Sequence, residues 1–227
     1  MLKNKHETFG KLNNIISDVD HTELHSISNK YKTINITRGS NKTSYSLDMG
    51  DCQTIDINRT VGMNYIGEFG NEQILKINVN RIKREYTVMH KKRTLCKVKV
   101  VDILPSIYKI YLYSNISDYN EKVVFNQEPN TNQNDEGKLQ YVLPFKQHYI
   151  ISEKNFKIDT INYGEILEGG RLNKNSFSFI YKRPLTLLHA LGIFISIMIS
   201  SKGKGFYQTE LEENEMIDKI PYGYEYL

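Results

Sequence analysis

Between residues 31 and 181 the apolar positions come in short runs rich in Ile, Val, Tyr and Phe, separated by clusters of Gly, Asn, Asp and Lys. That texture predicts strands joined by tight turns. The clearest runs are 33–37, 44–47, 53–57, 63–68, 74–79, 85–89, 94–101, 107–114 and 123–126, followed by 139–144, 148–152, 156–159, 165–168 and 176–181. Within 94–101, Leu95, Lys97, Lys99 and Val101 share one face and Cys96, Val98 and Val100 the other. A period of two with one wet face is the pattern of a half-buried sheet. The stretch 127–138, QEPNTNQNDEGK, has no large apolar side chain and is expected to be a mobile loop.

Two stretches break this texture. From 8 to 28, Leu12, Ile15, Ile16, Val19, Leu24 and Ile27 recur mostly at three- and four-residue spacings, which predicts a short N-terminal helix. From 184 to 201 the sequence PLTLLHALGIFISIMISS starts with a proline suited to a first helical turn and stops before Lys202, Gly203 and Lys204. Leu187, Leu191, Phe194 and Met198 lie along one side of this helix and Leu188, Ile195 and Ile199 along another, so no broad polar face remains. A helix apolar all round is buried in protein or in lipid.

Its eighteen residues would span roughly 27 Å, the short limit for a bilayer core. A long run of strands needs something to close around. The expected fold is therefore mainly β: a closed antiparallel barrel of about twelve strands around a C-terminal apolar central helix. The barrel occupies 31–201, after an extension 1–30 and before a tail 202–227. The alternative is a single-pass membrane-anchored β domain with its span at 184–201 and Lys182, Arg183, Lys202 and Lys204 as interfacial anchors.

Phe156-Lys157-Ile158, Gly164-Glu165-Ile166 and Phe177-Ser178-Phe179-Ile180 run directly into Pro184-Leu185-Thr186-Leu187-Leu188-His189-Ala190-Leu191-Gly192-Ile193. This order of closing strands and apolar helix resembles the tubby C-terminal-like superfamily, which includes tubby, the plant LURP-one-related proteins and the phospholipid scramblases. The resemblance implies a helix threading a barrel, an intracellular domain that meets membrane lipid or acts as a scaffold, and no shared catalytic residue. Asp118, Glu121, Asp135 and Glu136 do not have calcium-loop spacing, so no calcium site is carried over.

Composition adds limits. Apolar residues make up 39% and charged residues 25% of the chain, enough to build a core. Trp is absent and Ala190 is the single alanine, which removes the best helix former almost everywhere. Thirty basic and 26 acidic residues leave a net charge of +4, too mild to imply nucleic acid without a local patch. Cys52 and Cys96 stand alone, so neither a disulfide framework nor a zinc site is expected. The polar stretch 1–10 has no apolar core of a secretory signal, and the expected location is cytoplasmic, peripheral at a membrane.

The strongest charge feature is 81–93, RIKREYTVMHKKR. Arg81, Lys83, Arg84, Lys91, Lys92 and Arg93 flank a predicted strand and are the candidate residues for binding anionic lipid headgroups. The competing reading is a solvated hairpin with edge-strand lysines. Tyr86 is the single stacking aromatic there, which disfavours nucleic acid. His21 and His25 have no third ligand at metal spacing, and His189 is expected to be neutral within the interior.

Gly164, Gly169 and Gly170 lack phosphate-loop spacing and read as hairpin turns. No GxSxG motif occurs, and acidic pairs are expected only in solvated turns. No catalytic residue, cofactor or metal is expected. An enzyme whose site is assembled from distant strands is the third reading. The tail, with Glu210, Glu212, Glu213 and Glu215 followed by Tyr222, Tyr224 and Tyr226, is expected to pack back on the barrel. The expected partner is anionic membrane lipid or another protein.

Overall fold

A computed structural model describes residues 22–50, 53–103, 106–113, 122–125, 130–133, 139–142, 145–150, 152 and 154–200. Its elements are α1 (Thr22–His25), β1 (Lys32–Arg38), β2 (Ser44–Gly50), β3 (Gln53–Arg59), β4 (Tyr65–Phe69), β5 (Glu72–Asn80), β6 (Glu85–His90), β7 (Arg93–Ile103), β8 (Ser106–Leu112), β9 (Lys122–Phe125), β10 (Asn130–Gln133), β11 (Leu139–Val142), β12 (Phe156–Thr160), β13 (Gly164–Arg171), β14 (Ser176–Tyr181) and α2 (Leu187–Ile199). Twelve strands form one sheet in the order β12-β13-β14-β1-β2-β3-β4-β5-β6-β7-β8-β9, and β10 with β11 forms a separate hairpin.

Every neighbouring pair in the sheet is antiparallel. The join between the two halves of the chain is β1 on β14, from Lys32 opposite Tyr181 to Thr37 opposite Ser176. The terminal strands β9 and β12 approach within 8 Å between Cα atoms, but no ladder of hydrogen bonds links them. The sheet is thus mainly β and antiparallel as expected, without hydrogen-bonded closure.

One face of this sheet is a continuous apolar surface. Across the strands, Phe177, Ile36, Leu47, Ile55 and Phe69 are register partners in one rung. Tyr65, Ile77, Val88, Cys96 and Leu112 form another. All ten residues are 9% exposed or less. β-branched and aromatic side chains stacked along rungs are what stabilises such a surface.

α2 lies on that face. Leu187, Leu188, Ala190, Leu191, Ile193, Phe194, Ile195 and Ile197 are all at 0–1% exposure. The Phe194 ring meets Phe156 of β12 and Phe177 and Phe179 of β14, with the Phe179 centroid at 5.1 Å. Gly192 faces Val88 of β6 so closely that a Cβ there would collide with the valine methyls. The helix therefore touches strands from both halves of the sheet. Ser196 stays satisfied inside by donating to Gly192 O at 2.7 Å.

The helix is shorter than expected. It begins at Leu187 after an N-cap at Thr186, whose hydroxyl accepts from His189 N. Pro184 therefore precedes the helix, because the Thr186 side chain supplies the oxygen that a helix start needs. At the other end Lys154 Nζ donates to Ile197 O at 3.1 Å and Ser200 O at 2.9 Å, placing a cation on the negative end of the helix dipole. Thirteen residues rise only about 20 Å. No helix among the described residues is long and apolar enough to cross a membrane.

Other expectations need correction. Asn130–Gln133, placed in a loop by its polarity, is β10 paired with β11; the backbone pairing does not need apolar side chains. The run 148–152 makes one bridge, Ile150 with Arg171, rather than a strand. Leu95 is buried with Cys96 instead of sharing the face of Lys97 and Lys99, because a bulge between Val88 and Met89 leaves it without a register partner. Gly169 and Gly170 are inside β13, not in a turn. A Cβ on Gly169 would sit 2.9 Å from Phe194 Cδ2, so ring packing demands glycine there. Of the expected N-terminal helix over 8–28, residues 22–28 fall among those described: Thr22–His25 is helical and 26–28 is not. Cys52 and the tail 202–227 lie outside them.

Replacing Phe194 with Ala should lower the unfolding free energy by about 3–5 kcal/mol, read as a lower urea midpoint. An unchanged midpoint would mean that α2 is not packed as described.

Candidate functional site

In a wholly antiparallel sheet, successive turns alternate between its two ends. The turn at 81–84 precedes β6 and the turn at 91–92 follows it, so they lie at opposite ends, about 23 Å apart along an extended strand. The six candidate residues therefore separate into two triads: Arg81, Lys83 and Arg84 at one end, and Lys91, Lys92 and Arg93 at the other. They do not form one patch.

The first triad belongs to a larger arc at the end where α2 terminates. The turns 172–175, 39–43, 60–64 and 81–84 sit side by side there. Arg38 N donates to Asn175 O at 2.7 Å, Arg59 N to Thr43 O at 3.2 Å and Val79 N to Asn64 Oδ1 at 3.0 Å, linking each turn to the next hairpin. Segments 171–175, 38–43, 59–64 and 80–85 hold eight basic residues and one acidic residue, Glu85. Lys42, Arg59, Arg81, Lys83, Arg84 and Lys174 are exposed. Arg38 and Arg171 are half-buried, and both donate to Lys174 O, bracing the 172–175 turn.

Three of these turns share a geometry. Lys42 N donates to Gly39 O, Met63 N to Thr60 O and Arg84 N to Arg81 O. The donor residues have φ of 58°, 65° and 50°, the left-handed region that favours glycine. Lys42, Met63 and Arg84 thus keep long side chains at positions where glycine would be less strained.

The opposite end is mixed in charge, and residues 24–29 pack over it beside the start of α2. Exposed Asp48, Glu68 and Asp159 lie toward it, and Lys91 pairs with Glu72 at 3.4 Å. His90 Nδ1 lies 2.6 Å from Ile74 O, and its ring meets the edge of His25 at 4.9 Å. Leu24 of α1 is 1% exposed. Arg183 N donates to Ser28 O at 2.8 Å, tying 24–29 beside the start of α2. His189 is half-buried, with Nδ1 2.8 Å from Thr186 Oγ1, and burial holds its pKa below the ordinary value. These neighbours give Lys91, Lys92 and Arg93 a weaker and less continuous positive field than the arc.

A third cluster carries no mark in the sequence. Glu168 is completely buried and Glu165 nearly so, both in β13 rather than in a solvated turn. Three residues apart on a regular strand, they would face opposite sides. A bulge between Ile158 and Asp159 leaves Ile166 without a register partner and turns both carboxylates toward segment 145–149. Glu168 accepts from Lys146 N at 2.9 Å and Gln147 N at 3.1 Å, while Glu165 Oε2 accepts from Lys146 Nζ at 2.8 Å and Lys157 Nζ at 2.7 Å. The Tyr149 ring covers Gly170, where a Cβ would stand 2.6 Å from its Cδ1. Strand parity hides this arrangement from the sequence.

The cluster is a latch that holds 145–149 on the outside of the sheet. Burial raises the Glu165 carboxyl, but the ammonium groups of Lys146 and Lys157 outweigh it and hold it below the ordinary carboxylate range. Burial raises Glu168, and the charge on Glu165 adds to that, against the two backbone N–H donors. Burial also raises the Tyr149 phenol and the Cys96 thiol, leaving both protonated at neutral pH. No group of three or more His, Cys, Asp or Glu among the described residues is arranged to hold a metal ion. The acidic residues Asp118, Glu121, Asp135 and Glu136 lie outside those residues.

No family model and no curated protein matches the chain.

Glu165, depressed in the folded state, contributes stability above its unfolded pKa of about 4.3 that is lost as pH falls through the folded value. Replacing it with Gln should cost about 3 kcal/mol at pH 7 and shrink the loss of stability on acidification below about pH 4. Urea unfolding of both proteins across that range checks this. An equal acid loss in the two would contradict it.

Proposed function

We propose that this chain is a tubby-like barrel, closed by the approach of β9 and β12 around α2, and that it is a non-enzymatic binding domain for anionic membrane lipid. The observation that carries the reading is the exposed basic arc, with Arg81, Lys83 and Arg84 on one turn, Arg59 beside the adjacent turn, and Lys42 and Lys174 on the next two turns along the sheet end. Each basic residue brought near an anionic leaflet adds about 1 kcal/mol. The enclosure of an apolar helix by strands in the order β12, β13, β14 and then α2 supports the superfamily resemblance. A span at 184–201 fits less well, because the apolar surface of α2 is already covered by protein. In this reading the lipid surface is the anionic cytoplasmic leaflet, and Lys91, Lys92 and Arg93 contribute little.

Flotation of the full-length protein on phosphatidylserine-rich and on pure phosphatidylcholine vesicles tests the proposal. The wild type should float with the anionic vesicles alone, and less so as salt rises. Arg81→Gln, Lys83→Gln and Arg84→Gln together should weaken binding on the order of 100-fold. The corresponding change at Lys91, Lys92 and Arg93 should cost less than about 10-fold. No binding to anionic vesicles, or equal binding to both kinds, would overturn the reading and leave a protein partner.

A further inference from the structure

We infer that the basic end of the sheet seats on the bilayer with Val61 and Ile82 inserted between the headgroups; this rests on the lipid-binding reading above and adds the anchor and the orientation. Val61 is 106% exposed and Ile82 98% exposed. One exposed aliphatic residue is ordinary. Here two stand at the apices of adjacent turns, 60–64 and 81–84, held together by β4 on β5 and by Val79 N donating to Asn64 Oδ1. Two strand spacings put the apices about 10 Å apart. Met63, on the first of these turns, is 36% exposed.

Basic residues bracket both tips: Arg59 lies two positions before Val61, and Arg81 and Lys83 are the direct neighbours of Ile82. That combination fits a bilayer interface better than a protein or nucleic-acid surface. Aliphatic tips leave water for the acyl boundary, while arginine and lysine heads remain at the phosphates on their long stems. A nucleic acid would favour aromatic platforms, and the turns 39–43, 60–64, 81–84 and 172–175 hold no aromatic residue. Insertion of both tips would stand the strands steeply on the membrane, with the Lys91 turn and α1 facing away.

The fold provides an internal control. Ile161 is 103% exposed, but it sits on the β12–β13 turn at the opposite end, two residues after exposed Asp159. It should not touch the membrane.

The test uses the full chain with Val61→Ser, Ile82→Ser and both together, none of which changes charge. Flotation on phosphatidylserine-rich vesicles should weaken about 10-fold for each and on the order of 100-fold for the pair, while Ile161→Ser stays at wild-type affinity. In a second readout, an environment-sensitive fluorophore on Ile82→Cys in a Cys52→Ser background should shift to the blue on anionic vesicles, and one on Ile161→Cys should not. Wild-type affinity in the double serine variant with no shift at position 82 would overturn the insertion and leave charge-driven lipid binding standing. Failure of the wild type to float would overturn both.

Discussion

The structure depends on one constraint: a helix with no polar face has to be enclosed. Phe194 reaches β12 and β14 at one end of the sheet, while Gly192 presses on β6 from the other half. A flat sheet would cover one side of the helix and leave the other in water. Twelve antiparallel strands have the inherent twist to curve round it instead, and that curvature brings β9 toward β12. The few polar groups on α2 are handled locally, by Thr186 at its start, by Ser196 within, and by Lys154 and Ser200 at its end.

Enclosing the helix also decides where chemistry is displayed. With the inner face committed to packing, partners are left the outer face, the sheet ends and the added segments. The outer face of β13 is taken by the latch of Glu165 and Glu168, and the start of α2 by residues 24–29. The opposite end, with tight turns and exposed basic side chains, remains open among the described residues. Antiparallel alternation sorts the turns between ends, so a charge asymmetry spread over distant parts of the chain becomes a spatial one.

Much of this was legible in the sequence. The strands follow from alternation of β-branched and aromatic residues, and β7 keeps Cys96, Val98 and Val100 inside and Lys97 and Lys99 outside, as its pattern implies. The helix follows from a long run with apolar residues on every side. What stayed hidden depends on position in space. Bulges that strand Leu95 and Ile166 reverse the expected faces, and nothing in a linear pattern marks them. The compact motif 81–93 looks like one patch in sequence because its triads are close along the chain, yet a six-residue strand separates them. The turn nearest to Arg81, Lys83 and Arg84 is that of Arg59, with Lys42 and then Lys174 following along the same end, an order that only the sheet reveals.

The enclosure of α2 is the claim on which the rest stands, and amide hydrogen exchange of the full-length protein in detergent-free buffer tests it most directly. The amides of α2 from Leu191 to Ile199 should exchange only through global unfolding, as slowly as the central strands β5, β6 and β7. Exchange in α2 much faster than in those strands, or a protein that needs detergent to remain dispersed, would mean that the helix is not held inside the sheet.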